Sequence, residues 1–361
     1  MLKGEISLEF SRVVDKLSKK VNQTLTSFLD RKIARAPFSY HKTYYSNIKE
    51  FIMRGGKRLR PISLIQAYRG VADSDGKIFL PSISVELLHN ATLIHDDLID
   101  HDELRRSGPT FHVKYREWYR SEISPDGEAE DFGSTMAILA GNTTYNLGVE
   151  AILSSKFPHN LKCEAINLYQ QVFQELIDGV MFESVIQRRE NVTMEEYLQM
   201  VRMKTSSLLE KSIQIGAMLG GAKNGQIKAL KEYAVLVGQA FQIQDDILGT
   251  FGKESETGKP TDGDIKEGKK TVLVVQALNN ASTSELNTLR KILGNPKASP
   301  SSIEKVRKIF RETGALENSK RLALELKEES KKRLLKAKPP LKNEPQEFFL
   351  NLADFVVSRI Y

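Results

Sequence analysis

Apolar residues recur at three- and four-residue spacing along almost the whole chain, and this pattern limits the possible folds more than any other feature. Such spacing places apolar side chains on one face of an α-helix. The pattern marks the segments 7–33, 43–53, 60–72, 78–100, 136–154, 161–188, 194–220, 225–250, 269–281, 283–293, 302–312, 318–336 and 346–360. Long runs of alternating β-branched and aromatic residues are missing. We therefore predict an all-α bundle of about ten or more helices.

The connecting segments are short and local. Turn-forming residues cluster in 124–134, 220–225, 251–264 and 294–302, and prolines interrupt 336–345. None of these breaks is long enough to separate independently folding parts. The expectation is a single domain over residues 1–361.

Composition narrows the class of protein only modestly. No run of about 18 apolar residues marks a transmembrane span, and the charged N-terminus lacks the apolar stretch of a signal peptide. The single cysteine, Cys163, excludes an intrachain disulfide and a cysteine-based metal site. A cytoplasmic protein is expected. The net charge of +7 would suit nucleic acid, a membrane surface or an anionic substrate, but no nucleic-acid-binding motif is present.

The sequence HDDLID (95–100) ends an apolar helical segment with acidic residues. Asp96 and Asp100 are four residues apart and therefore project from one helix face. Two such carboxylates repel each other unless a cation lies between them, and hard oxygen ligands suit Mg²⁺. Two alternatives are an exposed acidic helix end and an HD-type phosphohydrolase that binds metal through His95 and Asp96. The second would need further histidines, and nothing marks the remaining ones as partners: His41, His89, His101, His112 and His159.

A second acidic pair makes a solvated helix end a poor explanation for both. The sequence GQAFQIQDDILG (238–249) again leads an apolar helix into two aspartates, Asp245 and Asp246. If the two helices are antiparallel, the pairs can face each other across a cavity with metal ions between them.

Basic residues accompany both acidic pairs. They are Lys57 and Arg60 in RGGKRLRP (54–61), Arg105 and Arg106, Lys204 before Thr205, and the lysines of 258–260 and 267–271. Arginine and lysine recognise phosphate oxygens, and Mg²⁺ bridges phosphates to carboxylates. The combination predicts a site for two multiply charged anions.

These motifs together resemble the trans-type isoprenyl diphosphate synthases, the family of geranylgeranyl and longer polyprenyl diphosphate synthases. The matching pieces are GGKRLRP, ELLHNATLIHDDLIDHDELRR, AILAGN, KT, FQIQDDIL and GKPTDGDIKEGKKT, in family order between residues 54 and 271. The resemblance implies an isoprenoid-synthase bundle around a central cavity, usually a homodimer. It also implies Mg²⁺ as cofactor, with isopentenyl diphosphate and an allylic diphosphate primer as substrates.

The resemblance also implies residue roles. The implied metal ligands are Asp96, Asp100 and Asp245, with Asp97 and Asp246 also assigned to the metal. The implied contacts of the allylic diphosphate are Arg105, Lys204 and Lys259. The implied contacts of isopentenyl diphosphate are Lys57, Arg60, His89 and Arg106. Supporting contacts to the metal shell or a diphosphate are implied for Thr205, Gln242, Asp264 and Lys269.

The implied reaction is ionisation, condensation and elimination. The family also reads product length beside the first acidic helix, at Leu88, Ala91 and Thr92. Because Ala91 and Thr92 are small, a product of C20 or longer is expected rather than a farnesyl product.

Three departures from the family pattern stand out. Gly249 replaces a third aspartate of the second acidic motif, Asn142 replaces an aspartate in AILAGN, and the connection 116–135, with the only tryptophan (Trp118), is longer than usual and is interpreted as a loop. Two rival functions are a class I terpene cyclase and a non-catalytic regulatory subunit. The cyclase needs no second diphosphate site, and the subunit would be expected to lack the ligands that this chain retains.

Overall fold

The computed structural model describes residues 8–74, 76–125, 127–252 and 261–358, which are helical almost throughout. The first helices are α1 (Leu8–Ala34), α2 (Ser39–Met53), α3 (Leu59–Arg69), α4 (Phe79–Ile99), α5 (Phe111–Glu122), α6 (Ala129–Leu153) and α7 (His159–Ile186). The following helices are α8 (Met194–Val201), α9 (Ser207–Leu219), α10 (Asn224–Phe251), α11 (Gly263–Glu267), α12 (Val272–Asn280), α13 (Thr283–Ile292), α14 (Pro300–Glu312), α15 (Ala315–Leu334) and α16 (Asn343–Val357). The all-α prediction is confirmed.

Two local departures from α-helix lie beside predicted site residues. A short antiparallel hairpin pairs β1 (Leu104–Arg105) with β2 (Gly108–Pro109). Its two turn residues, Arg106 and Ser107, have φ angles of 50° and 60°, the left-handed region that tight hairpin turns require. The second departure is a π-helical turn, Arg202–Ser206, which joins α8 to α9.

The interpretation of 116–135 as a loop is wrong. Residues up to Glu122 belong to α5, and α6 begins at Ala129, so only a short connection separates two helices. Trp118 of α5 stacks on Phe132 of α6 with ring centroids 5.8 Å apart. The segment was misread because charged and polar residues interrupt its apolar spacing.

The described chain divides into two compact units. The N-terminal unit comprises the described residues within Ser11–Gln170 and Ile215–Gly221, and the C-terminal unit comprises the described residues within Met1–Phe10, Gln171–Gln214 and Ala222–Tyr361. The expectation of one domain stays a prediction. None of the described helices combines the length and apolar character needed to cross a membrane.

Helix α4 is the central element of the N-terminal unit. It is buried on most of its surface, packs against α3, α5 and α6, and ends at the first acidic motif. Gly141 lets α6 approach α4 closely at His95, because a Cβ on residue 141 would lie only 2.0 Å from His95 Nε2. The close packing fixes the end of α4 that contains Asp96.

Helix α10 has the same place in the C-terminal unit. It packs against α15, α16 and the π-helical turn. The apolar helix α12, with Val272, Leu273, Val274 and Val275 buried, belongs to the core of this unit together with Ile243 and Ile247 of α10. The second acidic motif therefore lies on a helix that is anchored along most of its length.

Candidate active site

The connection between α2 and α3 turns sharply at two glycines and lies against Arg106 of the hairpin. Gly55 and Gly56 have φ angles of 124° and 119°, which L side chains rarely adopt. Arg106 Nη1 donates to the Gly55 carbonyl oxygen at 2.6 Å, and a Cβ on Gly56 would lie 3.2 Å from Arg106 Nη2. The motifs GGKRLRP and RR, distant in sequence, are thus in contact within the N-terminal unit.

Arg58, which the sequence analysis did not single out, holds this connection in place. It is a buried residue with a left-handed φ of 53°. Its guanidinium donates to Glu86 Oε1 at 2.5 Å, to Asn22 Oδ1 at 2.9 Å and to the Ile52 carbonyl oxygen at 2.7 Å. These bonds tie α1, α2 and α4 together beside Lys57. The sequence gives no signal that Arg58 is buried, because its burial depends on Glu86, a partner 28 residues away in the chain.

The predicted isopentenyl diphosphate residues differ in exposure. Lys57 and Arg106 are exposed, whereas Arg60 and His89 are half-buried. Burial, reinforced by Arg60 and Arg106, holds the pKa of His89 well below its ordinary value of 6.5. The imidazole is therefore neutral near pH 7 and can donate an N–H to an anion without adding to the repulsion among the cations.

The three aspartates at the end of α4 have distinct surroundings. Asp96 is half-buried, and Asp100, the residue that follows α4, is exposed. Asp97 is fully buried and accepts a charge-assisted hydrogen bond from Arg105 Nε. Arg105 Nη2 also lies 3.3 Å from Asp102 Oδ2. Asp97 therefore orients Arg105, while the carboxylates four residues apart lie on the more accessible side.

A cavity of about 250 Å³ in the C-terminal unit brings most of the other predicted residues together. Its lining includes Lys204, Thr205, Gln242, Asp245, Asp246, Asp264 and Lys269. Lys259 lies outside the described residues. Because both cations and carboxylates line this cavity, it suits an anion that is bound together with a cation.

A chain of hydrogen bonds fixes the floor of this cavity. Thr205 Oγ1 donates to Gln242 Oε1 at 2.7 Å, and Gln242 Nε2 donates to Asp246 Oδ1 at 2.8 Å. The other carboxylate oxygen of Asp246 accepts from the Tyr197 hydroxyl at 2.8 Å and from the Val272 amide at 3.0 Å. Both oxygens of Asp246 thus have protein donors, and the side-chain amide of Gln242 is held in one orientation.

Two carboxylates of this cavity, Asp246 and Asp264, are poorly solvated. Burial, together with the charge of Asp264, raises the pKa of Asp246 from 3.8 to about 7. Burial also raises the pKa of Asp264, an effect opposed by Lys269 and Lys204. Added positive charge would favour the ionised forms of both side chains.

Lys204 lies in the π-helical turn and is held by Glu183 of α7. The Lys204 Nζ to Glu183 Oε2 distance is 2.5 Å. The turn approaches α7 closely at Gly179, where a Cβ would lie 2.6 Å from the Lys204 amide nitrogen. Single π-helical turns frequently occur at functional sites. Glu183 also lines the cavity, and sequence reasoning missed it because a single acid on a mostly apolar helix gives no signal.

Lys269 follows α11, and both its backbone and its side chain are held by neighbouring residues. Its amide nitrogen donates to the Asp264 carbonyl oxygen at 3.0 Å, and its Nζ lies 2.7 Å from Glu267 Oε2. The turn that contains it also includes Gly268, whose φ is 72°. Asp264 and Lys269 are therefore positioned by one short segment.

The predicted chain-length residues lie along α4. Leu88 and Ala91 are fully buried. Thr92 is half-buried and donates through Oγ1 to the His89 carbonyl oxygen at 2.8 Å. Asn142 is exposed on α6. The asparagine that stands here in place of the family's usual aspartate is therefore not a buried polar group.

The HD-phosphohydrolase alternative finds no support in the surroundings of His95. This residue packs against Gly141, and its Nε2 lies 3.4 Å from the Ile138 carbonyl oxygen. Across the described ranges, no three side chains of His, Cys, Asp or Glu converge into a metal site. Mg²⁺ does not require such a cage, since it binds through one or two carboxylates together with phosphates and water.

Comparison with known proteins gives one family. The sequence profile of the polyprenyl synthetase family matches residues 41–311. A short chain isoprenyl diphosphate synthase of Methanocaldococcus jannaschii is 35% identical over 296 residues, 81% of each chain. A geranylgeranyl diphosphate synthase of Saccharolobus solfataricus is 33% identical over 313 residues, 86% of each chain.

A solved structure is also similar over nearly the full length. The geranylgeranyl pyrophosphate synthase of Corynebacterium glutamicum, complexed with isoprenyl diphosphate and magnesium, superposes with a TM-score of 0.89. It is 27% identical, and the match covers 96% of this chain and 99% of that one. The helical bundle and its acidic and basic motifs define a class of enzyme that transfers prenyl groups. This chain belongs to the polyprenyl synthetase family.

Proposed function

We propose that this protein is a magnesium-dependent synthase that joins isopentenyl diphosphate to an allylic diphosphate and gives an all-trans polyprenyl diphosphate of C20 or longer. The observation that supports this most directly is the presence of two separate groups of basic residues with acidic neighbours. One comprises Lys57, Arg60, His89 and Arg106 in the N-terminal unit, and the other lines the cavity around Asp245 in the C-terminal unit. Two diphosphate sites are what distinguishes chain elongation from cyclisation of one diphosphate.

The residues fit Mg²⁺. Carboxylate oxygens are the ligands that this ion prefers, and the raised pKa of Asp246 reflects carboxyl groups that positive charge would keep ionised. The carboxylates proposed to bind such ions are Asp96 and Asp100 in the N-terminal unit and Asp245 in the C-terminal unit. Asp97 and Asp246, whose oxygens accept hydrogen bonds from other protein groups, would support the metal site by orienting those groups.

When bound, Mg²⁺ supplies positive charge that stabilises the diphosphate leaving group. Lys204 and Arg105 add to this stabilisation, because Glu183 and Asp97 hold them in fixed orientations. We assign Lys259 the same role from the sequence motif. Gln242, Thr205 and Lys269 would complete the allylic side of the site.

The second group of basic residues orients the other substrate. Lys57, Arg60, Arg106 and neutral His89 would bind isopentenyl diphosphate so that its double bond faces the allylic carbon. The allylic C–O bond breaks, diphosphate leaves with the electron pair, and the double bond attacks the resulting cation. A proton is then lost to the departed diphosphate. Water must be excluded, since it would convert the cation to an alcohol.

The proposed product length rests on α4 and on the relatives. Side chains as small as those of Ala91 and Thr92 would obstruct a growing chain beside the helix less than an aromatic side chain would. The Saccharolobus and Corynebacterium relatives are named for the geranylgeranyl product. Their names and these small residues favour the same C20 or longer product.

A homodimer is also part of the proposal. Exposed Ile177, Met181 and Val185 recur every four residues on α7, and Ile138 and Leu139 are exposed on α6. Rows of exposed apolar side chains commonly mark interfaces between identical subunits. Light scattering coupled to size-exclusion chromatography should give twice the chain mass; a monomer would contradict this part.

We place the enzyme in the cytoplasm, where its single cysteine needs no partner.

One incubation tests the function. The protein is supplied with Mg²⁺, labelled isopentenyl diphosphate and, in separate reactions, C5, C10, C15 and C20 allylic diphosphates. Label should appear in prenyl diphosphates of C20 or longer. No incorporation from any primer would overturn the proposal, and products that stop at C15 would overturn the predicted length.

A further inference from the structure

The hairpin formed by β1 and β2 contains Arg105 and Arg106 but is too short to fix its own geometry. Each strand has two residues, and a two-stranded hairpin is at best marginally stable without further packing. Leu104 of β1 is 65% exposed and therefore adds little apolar contact. The positions of both arginines must depend on bonds from outside the hairpin.

Arg54, the residue that follows α2, supplies such bonds to both strands. Its Nη1 donates to the Pro109 carbonyl oxygen of β2 at 2.6 Å and lies 3.5 Å from the Arg105 carbonyl oxygen of β1. The Arg54 side chain is only 9% exposed although it is charged. One guanidinium group thus contacts the backbone of the hairpin on each strand.

Glu50 fixes the orientation of this guanidinium group. Arg54 Nε donates to Glu50 Oε1 at 2.6 Å, and Arg54 Nη2 donates to Glu50 Oε2 at 2.7 Å. The hydrogen bonds from Arg54 hold the pKa of Glu50 below its ordinary value of 4.5, so the carboxylate is ionised near pH 7. A bidentate pair of this kind defines the plane of the guanidinium group. The remaining nitrogen, Nη1, is therefore directed at the hairpin.

Two arginines connect the hairpin and the α2–α3 connection in opposite directions. Arg54 donates to the carbonyl oxygen of Pro109, and Arg106 donates to the carbonyl oxygen of Gly55, each at 2.6 Å. Arg54 and Gly55 are adjacent, and Lys57 follows two residues later. The two bonds together set the separation between the segment of Lys57 and Arg106.

Gly108 provides the space that Arg54 occupies. A Cβ on Gly108 would lie 2.7 Å from Arg54 Cζ and Nη1, and 2.9 Å from Arg54 Nε. Such distances are too short for non-bonded atoms, and the end of a long side chain moves more easily than backbone. A side chain at residue 108 would therefore displace the guanidinium group and leave the hairpin without this support.

We infer that Arg54 is a positioning residue for the isopentenyl diphosphate site, because it holds the hairpin at the place where Arg106 and Lys57 can bind one diphosphate. The inference rests on the proposed function, which assigns these two cations to that substrate. Arg105 has a second support in Asp97. The allylic side of the site should therefore depend less on Arg54.

A set of variants tests this role. They are Arg54→Ala, Arg54→Lys, Gly108→Ala and the double variant Arg54→Ala/Gly108→Ala. Lys114→Ala is the matched control, because Lys114 Nζ lies 3.3 Å from Glu50 Oε2 and its loss leaves the bonds from Arg54 to the hairpin in place. Isothermal titration calorimetry measures the binding of isopentenyl diphosphate in the presence of Mg²⁺. Steady-state kinetics gives KM for each substrate, and circular dichroism checks that each variant is folded.

Arg54→Ala should weaken the binding of isopentenyl diphosphate by about 10- to 100-fold, the usual range when a partner that orients a binding group is lost. KM for this substrate should rise more than KM for the allylic primer. Arg54→Lys should show a similar loss, because lysine has no planar fork of donors. Gly108→Ala should also weaken binding but should add nothing in the Arg54→Ala background. Lys114→Ala should bind like the wild type.

Two results would overturn the inference. One is a pair of independent, additive losses for Arg54→Ala and Gly108→Ala. The other is wild-type affinity in Arg54→Lys, which would reduce the role of Arg54 to its charge. Should Arg54→Ala not fold, Gly108→Ala, which retains the arginine, takes its place with the same expected loss.

Arg106→Gln separates this inference from the proposed function. If Arg106→Gln weakens the binding of isopentenyl diphosphate but Arg54→Ala does not, the inference fails and the proposed diphosphate site stands. If Arg106→Gln leaves binding unchanged, the proposed site fails as well.

Discussion

Arg58 Nη1 lies 2.5 Å from Glu86 Oε1, and both side chains are almost completely buried. The pair joins the residue after Lys57 to α4, one helical turn before His89. It therefore links two sequence motifs that we assign to one diphosphate. A buried charge with no partner is costly, so each member of the pair depends on the other.

Glu86→Gln should destabilise the protein by about 3–5 kcal/mol, because the Arg58 charge would be left without its carboxylate. It should also raise KM for isopentenyl diphosphate more than KM for the allylic primer. Chemical denaturation and steady-state kinetics measure the two effects. Asp30→Asn is the control, since the Asp30–Lys49 pair is exposed and such pairs contribute about 1 kcal/mol or less. Equal losses in both variants would contradict the role of the buried pair.

Asp246 gives a pH-dependent prediction for the metal-free protein. Its pKa is about 7 when folded and 3.8 ordinarily, so its contribution to stability is complete below pH 3.8 and is lost as pH rises through about 7. Between these values the unfolded chain releases the proton and the folded chain retains it. The stability of the wild type relative to Asp246→Asn should therefore decrease from pH 4 to pH 7. Urea unfolding in EDTA at several pH values measures this difference, and a difference that rises with pH would be the wrong sign.

Ala91→Phe should shorten the main product. Ala91 is fully buried on α4, and an aromatic ring there would fill space beside the growing chain. The added volume would also cost about 1–3 kcal/mol of stability. Ala67→Phe, at another fully buried position, controls for that cost and should leave product length as it was. Chromatography of the dephosphorylated products compares the product lengths of the Ala91→Phe and Ala67→Phe variants with that of the wild type. An unchanged product length in Ala91→Phe would show that this residue does not control chain length.

Gly141→Ala should destabilise the protein by about 1–3 kcal/mol and lower kcat, because its Cβ would overlap His95 next to Asp96. Gly76→Ala is the control, as no atom lies within 4 Å of the added Cβ. His95→Ala should partly restore stability in the Gly141→Ala background. Thermal unfolding and turnover of the single and double variants measure this, and losses that simply add would argue against the contact.

Sequence reasoning succeeded where the signal is local. Helical spacing predicted the bundle, and the position of Asp96 and Asp245 at apolar helices predicted where acids would lie. It failed where the determinants come from elsewhere in the chain. Arg106 adopts a positive φ without being glycine or asparagine, and Glu183 is recognisable only through its contact with Lys204. The proximity of Asp264 to Gly249 likewise depends on how α11 packs.

The predicted facing of the two acidic motifs stays a prediction, and so do the residue roles. Within each unit, however, the arrangement is specific. Asp97 orients Arg105, and Asp246 orients Gln242. Residues that a motif presents as equivalent, such as adjacent aspartates, thus divide into one that is accessible and one that positions a neighbour.

The π-helical turn at Arg202–Ser206 also affects how this region is compared with other proteins. A π-helical turn contains one residue more than an α-helical turn, and one residue corresponds to about 100° of rotation. A helical wheel drawn continuously from α8 into α9 will therefore assign the wrong face to every residue after Ser206.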